Sequence, residues 1–293
     1  MLKQLMAFLC MAFLYSCNNA TSIDALKSEG QVSSKVHDPS TQTQAQTVIP
    51  SDTLNKYSYL LLGDFEDRRR HPKGTGCFIK INNQYYLITA GHVISNWNPY
   101  NYKPKEEPLD TFFIRLYSYY DQKPTLLPIN ITEARKGLKK VHIYQEPDVA
   151  VMKVNIPAGL VVHSIESMIE TFPYKGTNPE RIYSFGYPQI SVYNFRELLN
   201  QRSAKCIFMP YYNLAANVMY QNNVLDSINY NVNIQSGPAS AGYAGAPTFA
   251  AYTDGKIIFG GIIEAIDISN KKAYVIKPAD VLRTLKKILP PPF

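Results

Sequence analysis

From Lys56 onward, apolar residues gather in short runs separated by polar breaks. Tyr57–Leu62, Phe78–Ile81, Tyr85–Thr89, Thr111–Tyr117, Val149–Val154, Ile182–Phe185 and Lys256–Ile263 are rich in Val, Ile, Tyr and Phe, and each predicts a β-strand. Asn82-Asn83 between the second and third runs predicts a hairpin turn, and Asp254-Gly255 marks a turn ahead of Lys256. One helix is predicted, over Pro278–Leu289. Pro278 opens it, Val281, Leu282, Leu285, Ile288 and Leu289 share one face, and Pro290, Pro291 and Pro292 stop it. Many short strands with no internal repeat predict an all-β sandwich or a pair of barrels.

The N-terminal 55 residues are patterned differently. Lys3 is followed by an apolar run, Leu5–Tyr15, which is too short for a permanent membrane-spanning helix and reads as a secretory signal core over residues 1–16. The run ends in Leu14-Tyr15-Ser16-Cys17, followed by polar Asn18-Asn19. This segment resembles a bacterial lipobox. The resemblance implies cleavage before Cys17, lipidation of Cys17, and an exported chain held on a membrane of the bacterial cell envelope by acyl chains. An ordinary signal peptide cut nearby is the plainer reading. Of the 38 residues from 18 to 55, 18 are Ser, Thr, Asn or Gln, with few large apolar residues and no period. Burial there cannot offset the cost of ordering the backbone, so residues 17–55 are expected to form a lipidated, disordered tether ahead of a globular domain over 56–293.

Charge changes the picture little. The chain carries 30 Lys+Arg against 23 Asp+Glu, a formal +7, and the tether is acidic, so the basic excess belongs to residues 56–293. Arg68, Arg69 and Arg70 form its tightest cluster, followed by Lys139 and Lys140. No basic stripe with interleaved aromatics runs through the sequence, which argues against a nucleic-acid partner. No Cys/His spacing suits zinc or another metal, no glycine loop suits a phosphate, and no cofactor is expected. Beyond Cys10 and Cys17, the globular part holds only Cys77 and Cys206, whose pairing spacing alone does not decide.

Three segments carry chemistry. The first is Gly74-Thr75-Gly76-Cys77-Phe78-Ile79, followed after the hairpin by Leu87-Ile88-Thr89-Ala90-Gly91-His92-Val93. The second is Asp148-Val149-Ala150-Val151-Met152-Lys153-Val154, and the third is Gly242-Tyr243-Ala244-Gly245-Ala246-Pro247-Thr248-Phe249. Singly, each has an ordinary meaning: a loop histidine, an Asp at a strand start, a tight turn. Jointly and in this order they resemble the trypsin-like serine peptidases of the chymotrypsin fold, from about residue 57 to the closing helix. The resemblance implies two antiparallel six-stranded β-barrels with a peptide cleft between them. It implies His92 as general base, Asp148 as the carboxylate that orients it, and Gly242 and Ala244 as backbone donors of an oxyanion hole. It also implies a serine at position 244, where this chain has alanine. A methyl group cannot attack a carbonyl. Ser236, Ser240 and Thr248 lie off the turn, and Cys77 belongs to a strand. The other histidines, His37, His71, His142 and His163, lack a matching context and are expected on the surface.

Two readings of Ala244 stand: a natural pseudoprotease that binds peptides or a protein partner, or an active serine endopeptidase whose nucleophile has been replaced. Further features follow from the resemblance alone. Pro238 falls at the base of the primary substrate pocket and supplies no acid for a Lys or Arg side chain. Gly260-Gly261-Ile262-Ile263-Glu264-Ala265 matches the strand that pairs with bound peptide. Glu264 stands there in place of a small polar residue; it is expected either to wall the pocket or, more simply, to face solvent.

Overall fold

The predicted strands form, and their ladders gather into two antiparallel sheets. The computed structural model describes residues 51–64, 70–95, 110–118, 123–136, 138, 147–187, 205–210, 229–233 and 241–289. The first sheet holds β1 (Tyr59–Asp64), β2 (Arg70–Ile81), β3 (Gln84–Ala90), β4 (Thr111–Ser118), β5 (Pro124–Asn130) and β6 (Val149–Val154) in the order β5-β4-β1-β2-β3-β6, with β7 (Leu160–Val161) beside β4. The second holds β8 (Arg181–Gly186), β9 (Lys205–Pro210), β10 (Asn229–Asn233), β11 (Pro247–Ala251), β12 (Ile257–Asp267) and β13 (Lys272–Ile276) in the order β10-β13-β12-β11-β8-β9. Among the described residues, no ladder joins the two edge strands of either sheet.

The two-residue strand period explains the packing. In the first sheet one set of side chains (Tyr59, Leu61, Phe78, Leu87, Phe112, Ile114, Leu116, Ile129, Ala150, Met152 and Val154) forms a cluster fed by all six main strands, so the sheet curls around its own core. The alternate set, Leu60, Leu62, Cys77, Ile79, Ile88, Val149 and Val151, joins a second cluster with Phe185, Phe249, Phe259, Ile262 and Ile276 of the other sheet. Both faces of β1, β2, β3 and β6 are therefore buried. That is why β1, β6 and the Cys77–Ile79 stretch of β2 read as near-continuous apolar runs. The Asn82-Asn83 turn has φ of 49° and 62°, the paired positive values of a hairpin turn that suits the strand twist.

Two expectations move. The C-terminal helix spans Pro278–Lys286 and buries Val281 and Leu285, but Ile288 is 46% exposed. The helix ends before Ile288, and the turn that follows tightens through the bonds from Lys287 N–H to Thr284 O and from Ile288 N–H to Leu285 O. The tighter winding carries Ile288 off the apolar face. Ordered structure also starts inside the expected tether. Ser51–Leu54 is a short helix followed by a 3₁₀ turn at Asn55–Tyr57, and Leu54 is buried in the cluster shared by the sheets. The rest of the N-terminal segment, Cys17 included, lies outside the described residues.

Candidate active site

β3 and β6 are neighbours in register, with Ala90 opposite Val149. The ladder therefore brings the residue before β6, Asp148, to the residues after β3, Gly91 and His92. Three bonds fix the arrangement. Gly91 N–H donates to the Asp148 carbonyl (2.9 Å), His92 N–H donates to Asp148 Oδ1 (3.0 Å), and His92 Nδ1 lies 2.5 Å from Asp148 Oδ2. A side chain at 91 has no room, since a Cβ would stand 2.5 Å from Asp148 Oδ1. The carboxylate is 1% exposed and the imidazole 11% exposed. An ionised carboxylate only accepts, so with a neutral imidazole the pairing puts the proton on Nδ1 and leaves Nε2 as an acceptor. Both carboxylate oxygens are engaged by one residue, which sets ring orientation and tautomer together.

The third segment forms a tight turn between the two sheets. Gly242 and Gly245 have φ of 102° and 81°. On the side of the first sheet, Thr75 N–H donates to Ala244 O (2.8 Å) and Thr75 Oγ1 donates to Gly242 O (2.7 Å). On the side of the second, Gly245 N–H donates to Ile263 O (2.7 Å) and Ile263 N–H donates to Ala246 O (2.8 Å). Ala246 N–H closes the turn on Tyr243 O (2.8 Å). A Cβ at residue 245 would stand 2.1 Å from Thr75 O and 2.2 Å from Thr89 Oγ1, so the close approach admits only glycine. The carbonyls of 242 and 244 are thus occupied, while the N–H groups of both residues make no hydrogen bond among the described residues. Two unengaged backbone donors, two residues apart on one turn, can receive a developing oxyanion.

The Ala244 side chain packs at the margin of the cluster that contains Ala90 and Val93, the residues flanking Gly91-His92. No nearby described hydroxyl or thiol substitutes for the missing nucleophile. Thr248 is buried in β11 and donates to Gly261 O (3.1 Å). Cys77 is a free, fully buried thiol whose pKa burial pushes well up, so it stays protonated and inert. Ser236, Ser240 and Pro238 lie outside the described residues.

Glu264 does not face solvent. It is fully buried in β12, at the register shift between Ile263 and Ala265. The bulge rather than the period of the strand sets its direction, which strand alternation does not reveal. His163 is exposed and His71 half-buried, and His37 and His142 lie outside the described residues. Two residues that carry no weight in the sequence prove central: Thr75 and Thr89, both fully buried, the second donating to the carbonyl of the first (2.7 Å). Their only signal is a hydroxyl among glycines and one ahead of Ala-Gly-His.

Among the described residues there is no cluster of three or more His, Cys, Asp and Glu able to hold a metal, and no helix long and apolar enough to cross a membrane. No protein-family model matches the chain, and no curated protein matches its sequence.

Proposed function

We propose that the chain follows the plan of a trypsin-like serine endopeptidase whose nucleophile position holds Ala244, so that it binds a peptide carbonyl without cleaving it. The two sheets correspond in this reading to the two barrels of that plan. The observation that carries it is the coexistence of a buried His92–Asp148 pair with a glycine turn whose Gly242 and Ala244 N–H groups are unengaged. In an active relative of this site, Nε2 of the base takes the hydroxyl proton as the oxygen attacks, and returns it to the leaving amine. The two N–H groups hold the oxyanion. With a methyl at 244 the first step has no nucleophile, and the remaining parts form a peptide-binding cleft. Export and lipidation at Cys17 belong to the same proposal and place the cleft on the cell envelope.

The test is Ala244→Ser, assayed against a proteome-derived peptide library by mass spectrometry beside the parent chain and Ala244→Ser/His92→Ala. Cleavage by the first variant alone supports the reading. A folded Ala244→Ser that cuts nothing turns the cleft into a binding surface and favours the pseudoprotease. Metabolic labelling with a fatty acid, lost in Cys17→Ala together with membrane retention, tests the anchor. Unchanged labelling and retention in Cys17→Ala would contradict it.

A further inference from the structure

We propose that Thr75 is a positioning residue, which holds the Gly242–Gly245 turn at its working distance from His92; the inference rests on the peptidase reading above. Thr75 is fully buried on β2 and makes four hydrogen bonds to three separate parts of the chain. Its N–H donates to Ala244 O (2.8 Å), and its Oγ1 donates to Gly242 O (2.7 Å) while accepting from Tyr187 N–H (3.2 Å). Its carbonyl accepts from Thr89 Oγ1 (2.7 Å), three residues ahead of His92. One residue thereby ties the turn to the segment that carries the imidazole and to the end of β8.

The hydroxyl has a separable task. The backbone bond to Ala244 O survives any substitution except proline, but only a hydroxyl reaches Gly242 O. Gly242 has a φ of 102° and no side chain of its own, so the bond from the Thr75 hydroxyl directly restrains the 242–243 peptide from the Gly242 end, while buried Tyr243 holds the other. Valine fills the same space and offers no donor. It would take from Gly242 O its donor and from Tyr187 N–H this acceptor, and the freed peptide would let the N–H groups of Gly242 and Ala244 reorient. The His92–Asp148 bonds do not involve Thr75, so the acid–base half of the site should be untouched.

The experiment uses Ala244→Ser as background, with a fluorogenic peptide taken from the sequences it cleaves. Thr75→Val should lower kcat by about ten- to a hundredfold, less than the roughly hundred- to thousandfold cost of removing an oxyanion donor outright, with KM within about threefold and the pH midpoint unchanged. Thr75→Ser should recover kcat to within about threefold, since it restores the donor. Ser184→Ala, which deletes an equally buried bond from hydroxyl to the Pro247 carbonyl (2.9 Å), should lower thermal stability with kcat within about twofold. The proposal fails if Thr75→Val keeps its kcat, if Thr75→Ser does not recover it, or if Ser184→Ala loses as much. Should Thr75→Val not fold, Thr75→Ala replaces it. If Ala244→Ser is itself inactive, the peptidase reading falls separately, and amide NMR on the Ala244 chain decides the positioning role. Thr75→Val should then shift the Gly242 and Ala244 amide protons and speed their exchange, with recovery in Thr75→Ser. Unchanged amides would overturn it.

Discussion

The two halves of the candidate site are held by different means. His92 and Asp148 are joined side chain to side chain, and the register of β3 on β6 makes them meet. The Gly242–Gly245 turn is held almost wholly through its backbone, by Thr75 from one sheet and Ile263 from the other. The first half therefore depends on residue identity at two positions, and the second on the absence of side chains at 242 and 245. In the proposed reading, this contrast lets the nucleophile be missing while the site stays assembled. The residue at 244 contributes its carbonyl to Thr75 whatever its side chain, so alanine costs the turn nothing structural.

The contrast can be broken from either side. In the Ala244→Ser background, Asp148→Asn should lower kcat by about four orders of magnitude, because an amide facing Nδ1 favours the wrong tautomer. Its thermal unfolding should change far less than its rate, as a comparison of calorimetry with kinetics will show. Gly245→Ala attacks the other half. A Cβ placed 2.1 Å from a backbone oxygen at a φ of 81° has no relaxed position. The expected loss is at least about 3 kcal/mol by denaturant unfolding. The downfield Nδ1–H proton resonance of His92 should persist in the part that remains folded. Leu285→Ala should cost about 2–3 kcal/mol through the cavity it leaves beneath the C-terminal helix, with neither half of the site altered.

The smallest effect belongs to a turn of the second sheet outside the site. Asp267 accepts from Ser269 Oγ (2.6 Å), Asn270 Nδ2 (2.7 Å) and Asn270 N–H (3.0 Å), and these bonds bring its pKa down to about 2. A carboxylate depressed in the folded state stabilises above its unfolded pKa, and that contribution disappears as pH falls through the folded value. The parent chain should thus lose slightly more thermal stability than Asp267→Asn between pH 4 and about 2. Parallel acid titrations of Tm measure the difference.

How much of this the sequence reveals depends on how local the cause is. β6 is legible to the residue, because Val149–Val154 is valine-rich and apolar apart from exposed Lys153, and the Asn82-Asn83 hairpin is legible because a turn of two positive φ values has few possible sequences. β2 is seen only in its last four residues. Its earlier part, with Lys73, Gly74, Thr75 and Gly76, lacks strand composition and is extended because β1 pairs with it. β11, which opens with Pro247 and holds two alanines, and β13, which is short, are likewise made strands by their neighbours. The His92–Asp148 pair follows from motif order. The burial of Glu264 and the hub at Thr75 do not, since a bulge and a set of long-range hydrogen bonds decide them.

In the proposed reading, the described part of this site is the frame of a serine peptidase that lacks one oxygen. A fluorophosphonate probe tests it most directly, because the reaction needs a serine oxygen, a base to take its proton and donors for the phosphonyl oxygen, and it releases fluoride. Intact-mass and peptide-mapping spectrometry should find one phosphonyl adduct at residue 244 in Ala244→Ser. The parent chain and Ala244→Ser/His92→Ala should carry none. A folded Ala244→Ser that stays unlabelled, or that labels equally well without His92, would contradict the account.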